Sequence, residues 1–186
     1  MTPNDILAFW FQGERDLFRA DPWFRKNPEY DAACAQFADA TAAARDGAFA
    51  EWMATPDGTL ALLLLLDQFP RNLYRETQLA FASDARARSV TTAALASGMM
   101  RTWTHVERIF VYLPFEHSEH LVDQDVSVAL FSELADHMKM PGMRDSAERH
   151  RDVIRRFGRF PHRNAALGRA NTAEEVAYLA QPGAGF

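Results

Sequence analysis

Acidic, basic and imidazole side chains stand at positions of this sequence where a protein core or a helix end is expected. The clearest case is Asp67, which directly follows the apolar run of residues 60–66. A helix that is apolar on all sides belongs in a core, and a carboxylate buried there needs a partner. We therefore expect Asp67 to meet an arginine or several N–H donors.

Polar side chains also fall on the inward faces of two later helices. The apolar stripe of the helix after residue 118 contains Gln124 and, when the helix is extended backwards, His117. His150 lies in the apolar stripe of the helix that begins near residue 144. The apolar members of the two stripes are Leu121, Val128, Phe131 and Ala135, and then Ala147, Ile154 and Phe157.

One chemistry open to these residues is hydrolysis by general acid–base catalysis. Asp67 or Glu119 would act as the base, with His117 or His150 as its acid–base partner. This hypothesis requires two of these groups within hydrogen-bond reach of a common open point.

A second chemistry is the binding of a small anionic molecule or a peptide in a polar pocket. Arginine side chains make bidentate hydrogen bonds to carboxylates and phosphates. This hypothesis requires the arginines of the pocket to be partly accessible. The predicted ligand-binding residues are Arg71, Asn72, Gln124, Arg159, Arg163 and Asn164.

A third hypothesis is purely structural, and it starts from a repeated motif. Residues 69–72 read Phe-Pro-Arg-Asn, and residues 160–164 read Phe-Pro-His-Arg-Asn. The repeat is explained either as a helix-stop turn or as two arginine-bearing corners that face one polar centre. In the structural case, Asp67 pairs with Arg71 or Arg163 and ties the two corners together.

Metal, cofactor and nucleophilic chemistry receive little support. His117 and His120 are three residues apart, whereas the H-E-x-x-H zinc signature spaces its histidines four apart. We predict no metal site, and without a Gly-rich phosphate loop we predict no cofactor. Cys34 lies beside alanines in an ordinary amphipathic helix, and Ser118 is better explained as a helix N-cap.

Composition narrows the class of protein further. Apolar residues make up 48% of the 186 residues, which argues against disorder, and the net charge of −5 argues against nucleic-acid binding. Eight arginines between residues 144 and 169 could meet an anion, a phosphate or RNA. Acids alternate with them, which for residues 144–155 favours a solvated face with internal salt bridges. We expect no membrane partner, because residues 60–66 are too few to cross a bilayer. A single cysteine and the absence of a signal-peptide pattern make the cytoplasm the default location.

Helix signals predict an all-α fold, a single domain over residues 1–186 with roughly eight helices around the leucine helix. Pro70 is expected to end that helix near Phe69, and Pro114 to end a later one. The predicted helix starts are Thr2-Pro3, Asn27-Pro28, Thr55-Pro56, Ser83-Asp84, Ser118, and the capping boxes Thr104/Glu107 and Thr172/Glu175.

Four motifs in order resemble one known family. They are residues 6–11, residues 66–72, residues 112–119 and residues 156–164, which read ILAFWF, LDQFPRN, YLPFEHSE and RFGRFPHRN. The chain is identified on them as a member of the bacterial domain-of-unknown-function family 924. This resemblance implies a tetratricopeptide-like helical domain and no particular activity. The motif residues are Asp67, Gln68, Arg71, Asn72, His117, Ser118, Glu119, Gln124, His150, Arg159, Arg163 and Asn164.

Overall fold

Helices and helical turns account for the regular structure of residues 1–185, the part of the chain that the computed structural model describes. No strand occurs in these residues, so the all-α prediction is confirmed. The tetratricopeptide-like packing stays a prediction. Contacts group the chain into two compact units: residues 1–75 with 79–114, and residues 76–78 with those from 115 onward. The expected single domain likewise stays a prediction.

The first unit contains the N-terminal helices, and the second contains the three C-terminal ones. In the first unit the helices are α1 (Pro3–Phe11), α2 (Ala20–Trp23), α3 (Pro28–Cys34), α4 (Ala38–Arg45), α5 (Pro56–Leu63), α6 (Phe69–Leu73), α7 (Asp84–Ala96) and α8 (His105–Glu116), whose last two residues belong to the second unit. In the second unit they are α9 (Leu121–Met138), α10 (Gly142–Phe157) and α11 (Ala173–Leu179). None of the helices within residues 1–185 has the length and apolar character that a membrane span requires.

Capping residues begin several helices where the sequence predicts them. Thr2 and Thr55 accept hydrogen bonds from the backbone N–H groups of the first turns of α1 and α5, and Asn27 does so for α3. At α8, Thr104 Oγ1 accepts from Glu107 N at 3.2 Å while Glu107 Oε2 accepts from Thr104 N at 2.8 Å. Both donors would otherwise lack an intrahelical partner.

The leucine segment is the centre of the first unit, as predicted. All of its leucines are completely buried, and the segment packs against α1, α4 and α7. Each buried leucine side chain contributes roughly 1.5–3 kcal/mol to folding by leaving water. The segment therefore fixes the position of the polar residues that follow it.

The prediction that Pro70 ends this helix near Phe69 is wrong. A π-helical turn, Leu64–Gln68, widens the helix, with Phe69 N bonded to Leu64 O, and the chain continues into α6. Pro70 then lies in the first turn of α6, where a proline is tolerated. In an α-helix Leu66 O would accept a hydrogen bond from the backbone N–H of residue 70, and Pro70 has no N–H group. Ser83 Oγ donates to Leu66 O at 2.6 Å and replaces that donor.

Pro114 does not end α8 either, because the helix continues to Glu116. Only two residues of the helix follow the proline, so little of the hydrogen-bond ladder is interrupted. Thr91 Oγ1 donates to Val111 O at 3.0 Å in the turn before Pro114. This contact gives a carbonyl near the interruption a side-chain donor.

In the second unit α9 and α10 pack against each other. The buried face of α9 carries Gln124, Ser127, Phe131, Leu134 and Ala135. The prediction that Leu121 is also buried is wrong, because the buried face of the first two turns of α9 is occupied by polar side chains and Leu121 is 42% exposed. The predicted inward position of His150 on α10 is confirmed.

Candidate functional site

Asp67 lies in the first unit, and residues that follow it in the chain hold its carboxylate. Gln68 Nε2 donates to Asp67 Oδ2 at 2.5 Å. Arg71 Nη1 lies 3.2 Å from Asp67 Oδ1 and donates to Asp67 O at 2.7 Å. The expectation that buried Asp67 meets an arginine is therefore confirmed.

Arg71 joins Asp67 to a second carboxylate. Its Nη2 donates to Asp84 Oδ2 at 3.1 Å, and its guanidinium carbon lies 5.8 Å from the centre of the Phe81 ring. Burial opposes the charge on Arg71, but Asp67 and Asp84 outweigh this effect and raise the pKa of the guanidinium. Arg71 is thus committed to two carboxylates of the first unit.

Asn72 belongs to a separate network in the same unit. Its Oδ1 accepts from Arg75 Nη2 at 3.0 Å, and Arg75 binds both oxygens of Asp31 at 2.6 and 2.8 Å. Burial raises the pKa of Cys34 to about 12. A thiol that stays protonated is a poor nucleophile.

The second unit brings Glu116 and His150 together. His150 Nδ1 lies 3.0 Å from Glu116 Oε1 and 2.9 Å from Ser146 O. Ser146 Oγ donates to the same Glu116 oxygen at 2.9 Å. Two acceptors therefore face Nδ1, which places the ring proton there and directs Nε2 away from Glu116.

The environment of His150 favours the neutral imidazole. Burial holds the pKa of His150 well below its ordinary value, and the charges of His117, Arg163 and His162 act in the same direction, whereas the hydrogen bond to Ser146 O opposes them. The structure thus brings His117, His162 and Arg163 within electrostatic reach of His150. We call His117, His150, His162 and Arg163 the cationic cluster.

Phe160 is the platform of the cationic cluster. Its ring is completely buried, and its centre lies 5.7 Å from the His150 ring and 5.5 Å from the His162 ring. The guanidinium carbon of Arg163 lies 4.4 Å from the same ring centre. Stacking on an aromatic face fixes the plane of a guanidinium. Arg163 itself is buried, in the short 3₁₀ turn Pro161–Arg163 that follows Phe160.

Glu119 is bound on both carboxylate oxygens. Arg169 donates to them at 2.8 and 2.9 Å, and Phe160 N donates to Oε1 at 2.8 Å. Burial alone would raise the pKa of Glu119, but the hydrogen bonds from Arg169 and Phe160 outweigh it and lower the pKa. Asn164 supports the same arginine, since its Oδ1 accepts from Arg169 Nε at 2.9 Å. Glu119 therefore has the contacts of a positioning residue rather than of a general base.

Gln124 closes the C-terminal end of α8. Its Nε2 donates to the carbonyls of Phe115, Glu116 and Ser118 at 3.3, 2.7 and 2.7 Å. The prediction that Ser118 caps α9 is wrong, because His120 is the cap residue. Ser118 Oγ instead donates to Asp123 Oδ2 at 2.6 Å. By binding these carbonyls, Gln124 holds the chain in a loop at the position where Ser118 predicts a helix start.

Arg159 fastens the last helix to the loop before it. Its Nε and Nη2 donate to the two oxygens of Glu175 at 2.6 and 2.8 Å, and Nη2 also donates to Ala170 O at 2.9 Å. Glu175 forms the predicted capping box with Thr172. The hydrogen bonds from Arg159 and Thr172 lower the pKa of Glu175 to about 2.

This arrangement predicts an acid-dependent loss of stability that Glu175→Gln abolishes. The folded-state pKa lies below the ordinary value of 4.5, so the stabilising effect is complete above that value and disappears as the pH falls towards about 2. Thermal melts followed by circular dichroism should show the largest difference between wild type and variant near neutral pH. The exposed neighbour provides a control, Glu174→Gln. A difference in Tm that does not change between neutral pH and about pH 2 would show that the charge of Glu175 is not responsible.

Arg144, Arg155 and Arg156 of α10 lie in ion pairs. Arg144 binds Asp136 at 2.6 Å, and Arg156 binds Glu174 at 2.7 Å. Arg155 lies 3.4 Å from Asp125. These contacts agree with the interpretation of the basic run as a solvated face with internal salt bridges.

Within residues 1–185 no three histidine, cysteine or acidic side chains are grouped so that they could hold a metal ion. His120, the second imidazole of the segment 116–120, is exposed. Sequence reasoning did not assign roles to Ser146, Phe160 and Arg169. Arg169 is the one of the three with a sequence signal, because it follows the second Phe-Pro motif as Arg75 follows the first.

Comparison with known proteins shows the family of this chain and a structure of similar fold. The profile of the bacterial family of unknown function DUF924 matches residues 6–183, and the chain belongs to this family. A solved structure of a protein of unknown function from Agrobacterium tumefaciens is similar to it, with 37% identity, a TM-score of 0.86 and 96% of each chain covered. The search of the curated proteins found no match.

Proposed function

We propose that this protein binds a small anionic molecule, a carboxylate or a phosphate, at the cationic cluster of the second unit. The observation that carries the proposal is the placement of buried Arg163 and two imidazoles around the Phe160 ring. The charges of His117, His162 and Arg163 disfavour a proton on His150. The same charges would attract an oxygen anion bound beside them.

The chemistry of the cluster suits an oxygen anion. The stacked guanidinium of Arg163 has a fixed plane, and a guanidinium of fixed plane loses little freedom when it binds two oxygens of one carboxylate or phosphate. His117 and His162 are each only partly buried, so they can gain a proton when an anion is present. Binding should therefore strengthen as the pH falls towards the ordinary pKa of histidine.

The proposed site is smaller than the set of residues predicted from sequence. Arg71 and Arg159 each bind carboxylates of this chain, so we do not include them as ligand-binding residues. Asn72 and Asn164 position Arg75 and Arg169. Gln124 binds the carbonyl of Glu116, the residue that precedes His117.

Phosphate should raise the Tm of the wild-type protein relative to chloride at the same ionic strength, because a ligand that binds only the folded state stabilises it. His117→Asn and His162→Asn should each reduce that increase. The matched control is His137→Asn, at an exposed position near the end of α9. Equal increases in Tm in the wild type and all three variants would overturn the proposal. A wild-type protein whose Tm rises neither with phosphate nor with acetate would also overturn it.

A hydrolytic enzyme is the second candidate, and the contact between Glu116 and His150 favours it. A histidine whose Nδ1 faces a carboxylate and whose Nε2 accepts a proton is the arrangement of a general base. Glu116 takes the place that the sequence hypothesis gave to Asp67 or Glu119, since both of those carboxylates are bound by arginines. Hydrolysis of an aryl phosphate or ester that disappears in His150→Asn, with the fold retained, is the result this candidate requires.

A further inference from the structure

The Gln124 side chain has one satisfied end and one unsatisfied end. It is completely buried, and its Nε2 is anchored by three backbone carbonyls. Carbonyl oxygens only accept hydrogen bonds, so the NH₂ end of the Gln124 amide must face them. The other end of the amide, Oε1, therefore points away from these carbonyls. Oε1 is buried and has no hydrogen-bond partner among the residues that the structure describes.

A buried acceptor without a donor is costly, so it points to a group that binds there. Two of the carbonyls that hold Gln124, those of Glu116 and Ser118, flank His117 in the chain. The Gln124 side chain is therefore anchored to the segment that carries the first member of the cationic cluster. An amide oxygen accepts hydrogen bonds only, so it repels the oxygens of a carboxylate or phosphate and binds a hydroxyl or ammonium group.

We infer that the anion bound at the cationic cluster also carries a hydrogen-bond donor, a hydroxyl or amino group, that Gln124 Oε1 accepts. The inference rests on the proposed function, and it narrows the ligand to a class such as hydroxy acids or amino acids. A site with a buried acceptor discriminates against an analogue that lacks the donor, because the acceptor is then left unpaired.

Pairs of probes that differ by one hydroxyl group test this inference. Isothermal titration of the wild-type protein should show glycolate binding about 3- to 10-fold more tightly than acetate, as one neutral hydrogen bond predicts. Lactate should exceed propionate by a similar factor. In NMR spectra the side-chain NH₂ signal of Gln124 should shift with glycolate and not with acetate.

The outcomes separate the two proposals. If neither member of a pair binds, and phosphate does not bind either, both the proposed function and this inference fail. If acetate and glycolate bind equally and the Gln124 signal does not move, the inference alone fails, as it would if a water molecule satisfied Oε1. A glycolate preference accompanied by movement of the Gln124 signal supports the inference.

Discussion

Asp67→Asn should lower the stability of the protein by about 3–5 kcal/mol, the typical cost of removing one partner of a buried ion pair. Asp67 is 1% exposed and receives donors from Gln68 and Arg71. Asparagine keeps the shape of the side chain, but its amide turns an N–H group towards one of these donors. Of its two carboxylate contacts, Arg71 then keeps the one with Asp84.

Urea denaturation of the two proteins at neutral pH measures this change as a lower midpoint with an unchanged slope. The matched control is Asp136→Asn, which removes an exposed ion pair with Arg144 and should change stability by less than about 1 kcal/mol. A variant at least as stable as the wild type would mean that the Asp67 charge is tolerated rather than needed. Functional sites often carry such a cost in stability.

Phe160→Ala should also cost about 3–5 kcal/mol, because it leaves a cavity where a fully buried ring packs against Val153 and Ile154. The same ring supports Arg163 and lies against two imidazoles. The variant should therefore lose anion binding along with stability. For a chain of this size the change corresponds to a fall in Tm of roughly 6–20 °C.

A thermal melt with and without phosphate measures both effects. Phe157→Ala is the control, because Phe157 is only partly buried and packs against the same hydrophobic core. We expect this variant to lose less stability and to keep its response to phosphate. If the Phe160 variant retained the full response to phosphate, Phe160 would not be the platform of the anion site.

Much of the fold was predictable because local chemistry determines it. The capping boxes at Thr104 and Thr172 use two side chains within one turn, so neighbours along the chain suffice to identify them. The leucine segment is apolar on every side, which leaves a core as its only stable location. Both signals need no knowledge of distant residues.

The wrong predictions concern helix ends at prolines and one helix start at a polar residue, where side chains from elsewhere in the chain determine the structure. Ser83 supplies the donor that Pro70 lacks, and no pattern near Pro70 reveals it. Ser118 resembles a cap, but the buried amide of Gln124 holds the preceding carbonyls in a loop. In both cases a tertiary contact overrides a local preference.

For the candidate site, sequence identified inward-facing residues but not most of their partners. The inward positions of Gln124 and His150 follow from helical periodicity, whereas the pairing of His150 with Glu116 depends on how α10 packs. The sequence predicts that Arg71 and Arg159 bind a ligand, because an arginine that binds a carboxylate of its own chain looks the same in sequence as one that binds a ligand.

The most direct test of the proposed anion site is an NMR titration of the six histidines with phosphate. We predict that the ring signals of His117, His150 and His162 move together along one saturable curve, and that those of His105, His120 and His137 remain in place. Stationary signals for the first three residues, or movement of all six in proportion to phosphate concentration, would contradict the account.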